Sequence, residues 1–438
     1  MTARTAGPTV AAARRAVVLV GGTANPYSRG LRVARALAAE GFEVEIAAVA
    51  ADGLPEDQRD GEITVRRYRP SGRLTSMAAT HGESASAPRR SPRHPIQVAR
   101  RALAAVRRWV FWPHTVRAWW ATLARELAPA DLYHACGSLT IAAALAARDR
   151  HPIGPAGRPA TVIYDAIDDV ISSNNMLGTP SPVRRILAGR ERRWARAADA
   201  RTTVNEAIAE RLAARWGTPP PLVIPNHPEL PVLAAGAATN RIRERLGLPA
   251  TCRIVLFQGR LAPNLGLDEA AEAVLGVPDA ALVLIGFGRR AAESRARDAD
   301  ARYQGRHFTL PPLHPDELPE WTASADVSLV PLPPASDNQR LSTPNKFWES
   351  LIVGTPVVVP ADLGVMASIV RADGVGVIAA SASPSDLAAA VREVLDRPVE
   401  ARTAERLRIA SLARARYSWP AAAARYRELA RALAGSER

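Results

Sequence analysis

Short apolar runs rich in valine and isoleucine alternate with longer alanine- and leucine-rich segments, and after a pause near residue 230 the alternation starts again. Strand-length runs separated by helix-length ones fold as parallel sheets, because parallel strands need a long crossover and a helix supplies it. In the first half the expected strands are 16–20, 42–50, 131–135, 160–166, 202–204 and 221–225; in the second they are 253–259, 281–288, 306–310, 326–332 and 355–360. The pause, Pro225–Asn240, is rich in proline and small residues and reads as a linker. The expected fold class is therefore α/β, with two doubly wound, Rossmann-like domains facing across a cleft. Residues 1–228 form the first domain, residues 229–410 the second, and 411–438 a terminal helical stretch packing back on the first. Ligands of such sheets sit beyond the carboxyl ends of the strands, and interdomain clefts are favoured pockets.

A net charge of +14 over 438 residues invites a nucleic-acid reading. The arginines are spread along the chain and no recognition motif accompanies them, so no nucleic-acid partner is expected. An anionic membrane surface and phosphate-bearing substrates remain compatible with the charge. Residues 71–95, low in large apolar side chains, read as a mobile loop. The following stretch, 96–128, mixes Arg101, Arg107, Arg108 and Arg117 with Trp109, Phe111, Trp112, Trp119 and Trp120. Such a helix either lies on an anionic membrane or buries its tryptophans in the core beneath a solvated arginine face. No run of about 18 apolar residues is present to span a bilayer. The start of the chain reads as a frayed tail leading into the first strand, not as a signal peptide. Cys136 and Cys252 match no metal or redox spacing, so reduced thiols and a cytoplasmic setting, free or peripheral on the inner membrane face, are expected.

One residue breaks the arginine preference. Lys346, in "STPNKFWESLIVGTPVVVP", is the chain's single lysine. Thr343 can cap a helix, Pro344 suits its first position and Gly354 the residue past its end, which puts Lys346 at the third helical position. A cation there sits unfavourably against the free amides of the helix start, and a bound anion removes the conflict. Glu349, three residues on, shares its face; a carboxylate beside a phosphate site can accept the paired hydroxyls of a ribose. Phe347, Trp348, Leu351 and Ile352 point elsewhere, into the core. An ordinary Lys–Glu surface pair is the alternative, and it leaves the position of the sole lysine unexplained. Arg260, following a strand and a glycine, supplies a second cation for a diphosphate.

At these residues the chain resembles the family 4 retaining glycosyltransferases of the GT-B fold, through "GRLAPNLGLDEA", "VLIGFG", "ADVSLVPL" and "TPNKFWESLIVGTPVVV", with "DLYHACG" and "YDAIDD" in the first half. The resemblance implies a nucleotide diphosphate sugar as donor and a hydroxyl acceptor, with no cofactor beyond that donor. It implies that Arg260 and Lys346 bind the diphosphate, with Thr343 and Asn345 beside them, and Glu349 the ribose. Gly21 and Gly22 would let a loop approach the phosphates or sugar, His134 would stand near the reacting sugar, and Asp168, Asp169 and Arg29 would meet the acceptor, with Ser28 beside them. For His134 a satisfied buried polar group is the alternative; for the two aspartates, helix capping. No metal-ligand cluster is visible. Three positions depart from the family pattern: Leu265 replaces a lysine, Leu341 an acid, and His227 a linker glycine. A nucleotide-sugar epimerase of the same fold and a catalytically silent nucleotide-binding scaffold are the competing readings.

Overall fold

The protein was analysed as a computed structural model, which describes residues 13–25, 28–69 and 116–435. The first sheet contains β1 (Arg14–Val20), β2 (Phe42–Val49), β3 (Asp57–Asp60), β4 (Ile63–Tyr68), β5 (Leu132–Cys136), β6 (Thr161–Ala166), β7 (Ala200–Thr203) and β8 (Leu222–Val223). Their spatial order is β3-β4-β2-β1-β5-β6-β7-β8. The second contains β9 (Arg253–Arg260), β10 (Ala280–Phe287), β11 (His307–Leu310), β12 (Val327–Leu329), β13 (Val357–Pro360) and β14 (Gly376–Ala379), in the order β11-β10-β9-β12-β13-β14. Pairings between these strands are parallel except β3 with β4. Helices cover both faces, so central strands such as Ala16–Val20 are buried throughout and carry continuous apolar runs.

The β3–β4 hairpin was not expected. Its strands are charged and partly exposed, and the signal for it is the Asp60-Gly61 turn, with Gly61 at a positive φ of 59°. Strand β14 also went unread.

The order of strands reverses between β1 and β5 in the first sheet and between β9 and β12 in the second. A crevice opens beyond the carboxyl ends at such a reversal, which is where ligands bind. Gly21 follows β1, and Arg260 ends β9.

The chain crosses between the domains twice, and the two crossings touch: the Trp419 amide donates to the Pro228 carbonyl at 2.7 Å. Helix Val399–Arg416 packs on helix Asn345–Ile352 of the second domain, whereas helix Trp419–Gly435 packs on helix Ser28–Ala38 of the first. Trp419, Ala422, Ala423, Tyr426 and Ala430 thereby complete the first domain's core. The return begins at about the Tyr417–Ser418 turn, later than the position 411 expected.

A helix spans residues 116–126. Trp119, Leu123 and Leu127 are buried in the first domain's core; Trp120 packs against it, donating Nε1–H to the Leu139 carbonyl and meeting Trp194 edge to face at 5.5 Å. These two tryptophans are core residues, which corrects the membrane reading for this part of 96–128; Arg117 is the solvated face. The rest of that reading, Arg101 to Trp112, and the expected loop 71–95 lie outside the described residues, as does the expected N-terminal tail. No described helix is long and apolar enough to cross a membrane.

Candidate active site

Strand β9 runs apolar from Ile254 to Phe257 and then changes character at Gln258, Gly259 and Arg260. Gly259 takes φ 110°, a conformation strained for any side chain, and the end of the Lys346 side chain lies beside it, at van der Waals distance from where a Cβ would stand. The Lys346 ammonium lies 3.8 Å from the place a Cβ on residue 259 would occupy and 3.5 Å above the centre of the Phe257 ring. Lys346 and Arg260 are thus brought to the same carboxyl end of β9. Neither the Lys346 ammonium nor the Arg260 guanidinium has a hydrogen bond or ion pair among the described residues. Burial pushes the Lys346 ammonium down to about 7, against the partial opposing pull of Glu349.

The helix that carries Lys346 starts one residue later than expected. It spans Asn345–Ile352 with Pro344, not Thr343, in the capping position, so Lys346 is its second residue. Pro344 is extended and supplies no side-chain cap bond. One position nearer the helix start than expected, the Lys346 ammonium adds to the local positive field. At the other end Val353 caps and Gly354, at φ 87°, follows as expected, while Phe347, Trp348, Leu351 and Ile352 are buried.

Glu349 is oriented by a residue the sequence reading passed over. Gln258, 2% exposed, donates Nε2–H to Glu349 Oε2 at 2.8 Å and accepts from Thr322 Oγ1 at 2.7 Å. Burial raises the Glu349 carboxyl, and the Gln258 bond and the Lys346 charge oppose the rise. The signal was present as a lone amide in an otherwise apolar strand. Asn345 is tied to the linker, accepting from Asn226 Nδ2 at 2.6 Å, and Asn226 accepts from Arg32 of the first domain.

Across the crevice Gly21 and Gly22 lie beyond β1, and a Cβ on Gly22 would meet nothing within 4 Å. Asp168 keeps an exposed side chain and accepts from Asn338 Nδ2 of the second domain at 3.1 Å. Burial on its other sides raises its carboxyl; the Asn338 bond opposes this and the charge of Asp169 adds to it.

Three expected site residues are elsewhere in their chemistry. Asp169 is fully buried and gripped by Arg215 and by Arg211 (2.9 Å to Nε), while its amide donates to Asn338 Oδ1 at 2.8 Å. Burial would raise its carboxyl, and the two arginines more than reverse this. It caps the short Val170–Ser172 turn, so the capping alternative describes it and it does not face an acceptor. His134 is 0% exposed, its Nδ1 2.9 Å from Tyr426 Oη and its Nε2 3.5 Å from Asp165. Arg29, also buried, holds Asp165 with two bonds of 2.7 and 2.8 Å and donates to the Ile224 carbonyl. Burial would raise Asp165, but Arg29 holds it far below the usual carboxylate range. His134 and Arg29 therefore belong to a closed polar core and have no face through which to touch a substrate. His134, Cys136 and Asp165 come within 4.8 Å of one another, yet the Arg29 guanidinium occupies the carboxylate, so a metal ion would meet a cation there. The structure describes the backbone of Ser28 at a helix start.

The departures from the family pattern have packing reasons. Leu265 sits among the apolar residues of two core clusters. Leu341 reaches across to the first domain's core, and its carbonyl accepts from Asn205 at 2.9 Å. His227 is buried edge-on against Trp348 (4.7 Å) and Tyr417 (5.5 Å).

Residues 31–227 match the model described as Glycosyltransferase Family 4, and residues 252–397 that of Glycosyl transferases group 1. A 2-deoxystreptamine glucosyltransferase of Streptomyces kanamyceticus is 29% identical over 395 residues, covering 84% of this chain and 89% of that one. A D-inositol 3-phosphate glycosyltransferase of Acidothermus cellulolyticus is 32% identical over 232 residues, half of each chain. Among solved structures, the fold is similar to that of sucrose-phosphate synthase from Thermosynechococcus elongatus (TM-score 0.68, 19% identity, 97% of this chain and 100% of that one). It is similar too to Anabaena HepE in complex with UDP (TM-score 0.63, 14% identity, 96% and 100%). The architecture is GT-B, and the chain belongs to the family 4, or group 1, glycosyltransferases.

Proposed function

We propose that this glycosyltransferase moves a sugar from a nucleotide diphosphate donor to an acceptor hydroxyl with retention of anomeric configuration. The observation that carries the reading is the Lys346 ammonium, which has no ion pair among the described residues and is set beside Gly259 at the carboxyl end of β9, where Arg260 follows. In the reaction the bond between the anomeric carbon and the donor phosphate oxygen breaks, and its electron pair stays with the diphosphate. Arg260 and Lys346 stabilise that growing charge, which is larger in the transition state than in the bound donor. The acceptor oxygen forms the new bond on the face the diphosphate leaves. Its proton passes to the departing phosphate oxygen, which lies on that same face. Glu349, fixed by Gln258, takes the ribose hydroxyls.

Asp168 is the acceptor-side carboxylate, because, of Asp168, Asp169 and Arg29, it is the one that is exposed. We take the acceptor to be a small polyhydroxylated ring compound; the names of two similar proteins, for 2-deoxystreptamine and inositol 3-phosphate, support that class.

The test is a panel of nucleotide sugars offered with 2-deoxystreptamine, inositol and inositol 3-phosphate, with the product's anomeric coupling read by NMR. A glycosylated product of the donor's own configuration is expected. An inverted product, or an epimerised nucleotide sugar with no transfer, would contradict the proposal.

A further inference from the structure

Of the phenylalanine, tyrosine and tryptophan side chains among the described residues, Phe287 alone is exposed, with 55% of its surface open. Single exposed apolar residues are ordinary on protein surfaces. The position of this one is not: it ends β10 as the register partner of Arg260 at the end of β9, one strand spacing from the cation assigned to the diphosphate. Its backbone is held on both sides. The Leu261 amide donates to the Phe287 carbonyl at 2.7 Å, and the Arg290 amide returns to the Leu261 carbonyl at 3.0 Å. A Cβ on the flanking Gly286 would come within 1.7 Å of the Gly259 carbonyl oxygen, and one on Gly288 within 2.3 Å of that of Leu261. The two strand ends are therefore pressed together through glycines, and the phenyl ring stands at a fixed point beside the crevice.

We propose that Phe287 is the platform on which the base of the donor nucleotide stacks; the proposal rests on the donor reading above. A nucleoside diphosphate must lay an uncharged, flat ring close to the site that grips its phosphates. Arg260 and Lys346 fix the phosphates and Glu349 the ribose; no other described phenylalanine, tyrosine or tryptophan stands exposed to receive the base, and the exposed His314 ring is turned to Asp316, 3.4 Å from its Nδ1. Stacking accepts any base, because every base offers a π-face, so this contact adds affinity without choosing between uracil, guanine and adenine.

The test is calorimetric titration of wild type, Phe287→Ala and Phe287→Trp with UDP, GDP, ADP and inorganic pyrophosphate. For whichever nucleoside diphosphates the wild type binds, Phe287→Ala should lose at least about fivefold in affinity. Phe287→Trp should keep that affinity, and pyrophosphate binding should be equal in all three proteins, which also reports an intact fold. Unchanged nucleoside diphosphate affinity in Phe287→Ala would overturn the proposal, as would an equal loss for pyrophosphate. A raised acceptor KM with unchanged nucleotide affinity would overturn it in favour of an acceptor contact. If the wild type binds pyrophosphate but none of the three nucleotides any more tightly, the base subsite is refuted while the phosphate grip stands. If it binds none of the four, the donor reading itself fails.

Discussion

A lysine held near neutrality by burial is unusual cargo for a protein to carry, and on the proposed function an anionic ligand is what Lys346 is there to meet. With its ammonium pushed down to about 7, the residue is largely neutral at pH 8 in the empty site. A diphosphate raises it again, so binding at pH 8 should take up a proton, and affinity should fall as pH rises above about 7. Titration of the nucleoside diphosphate in buffers of different ionisation enthalpy measures the uptake; none in the wild type, or the same uptake in Lys346→Ala, would contradict the assignment. Gln258 acts through Glu349, so Gln258→Leu should weaken nucleoside diphosphate binding several-fold and leave pyrophosphate binding unchanged, an outcome that a merely structural role would not give. The placement of Lys346 and Glu349 on one helix, beside the strand end that carries Arg260, was legible in the sequence because the proline, the glycines and the apolar runs mark that helix and that strand. His134 and Arg29 were misplaced for a related reason: a polar side chain at a strand end looks the same whether it opens to a cleft or closes a core. What decides is the partner, and Tyr426 and Asp165 lie 292 and 136 residues away in the chain.

At the scale of elements, the strands were readable because apolar runs of that length, between helical stretches, can satisfy their backbones only in a covered parallel sheet. The β3–β4 hairpin was not, since the charged, exposed edge strand β3 carries no burial pattern and β4 alternates only over Ile63, Thr64 and Val65 before two arginines. The short helix Asp337–Leu341 is one part of the second domain that touches the first, through Asn338 to Asp168 and Asp169, Asp337 to Arg211, and Leu341 to the apolar core. Leu341→Glu restores an acid where the family often has one, but here it must place a carboxylate against apolar neighbours. It should lower the unfolding temperature by a few degrees, and an unchanged midpoint would contradict the packing role. The linker has its own pH dependence. Burial, with Arg32 nearby, pushes His227 down to about 4. Between about 4 and 6.5 the unfolded chain binds a proton that the folded protein refuses, so stability rises with pH across that window and is lost as pH falls through it. His227→Phe should therefore lose less stability than wild type between pH 7 and pH 4.5 in thermal unfolding; an equal loss would show that this histidine does not contribute.

Across the whole molecule, the final helix makes the two domains one unit by leaving the second and completing the core of the first. Truncation after Ser418 removes Tyr426 from His134 and strips the apolar cover from β1 and β5. Rapid amide exchange in the first domain is expected of that variant, and wild-type protection would contradict the role given to the helix. Each sheet reverses its strand order once, and the loop of Gly21 and Gly22 follows β1 at one reversal while Arg260 ends β9 at the other. The central claim is that the Lys346 ammonium neutralises a departing diphosphate. Its most direct test is donor turnover by Lys346→Ala, with folding checked by thermal unfolding. Loss of one such stabilising group costs a factor of about 100 to 1,000 in kcat, and a fall of that size in a folded protein is predicted. Turnover within a few-fold of wild type would contradict the claim.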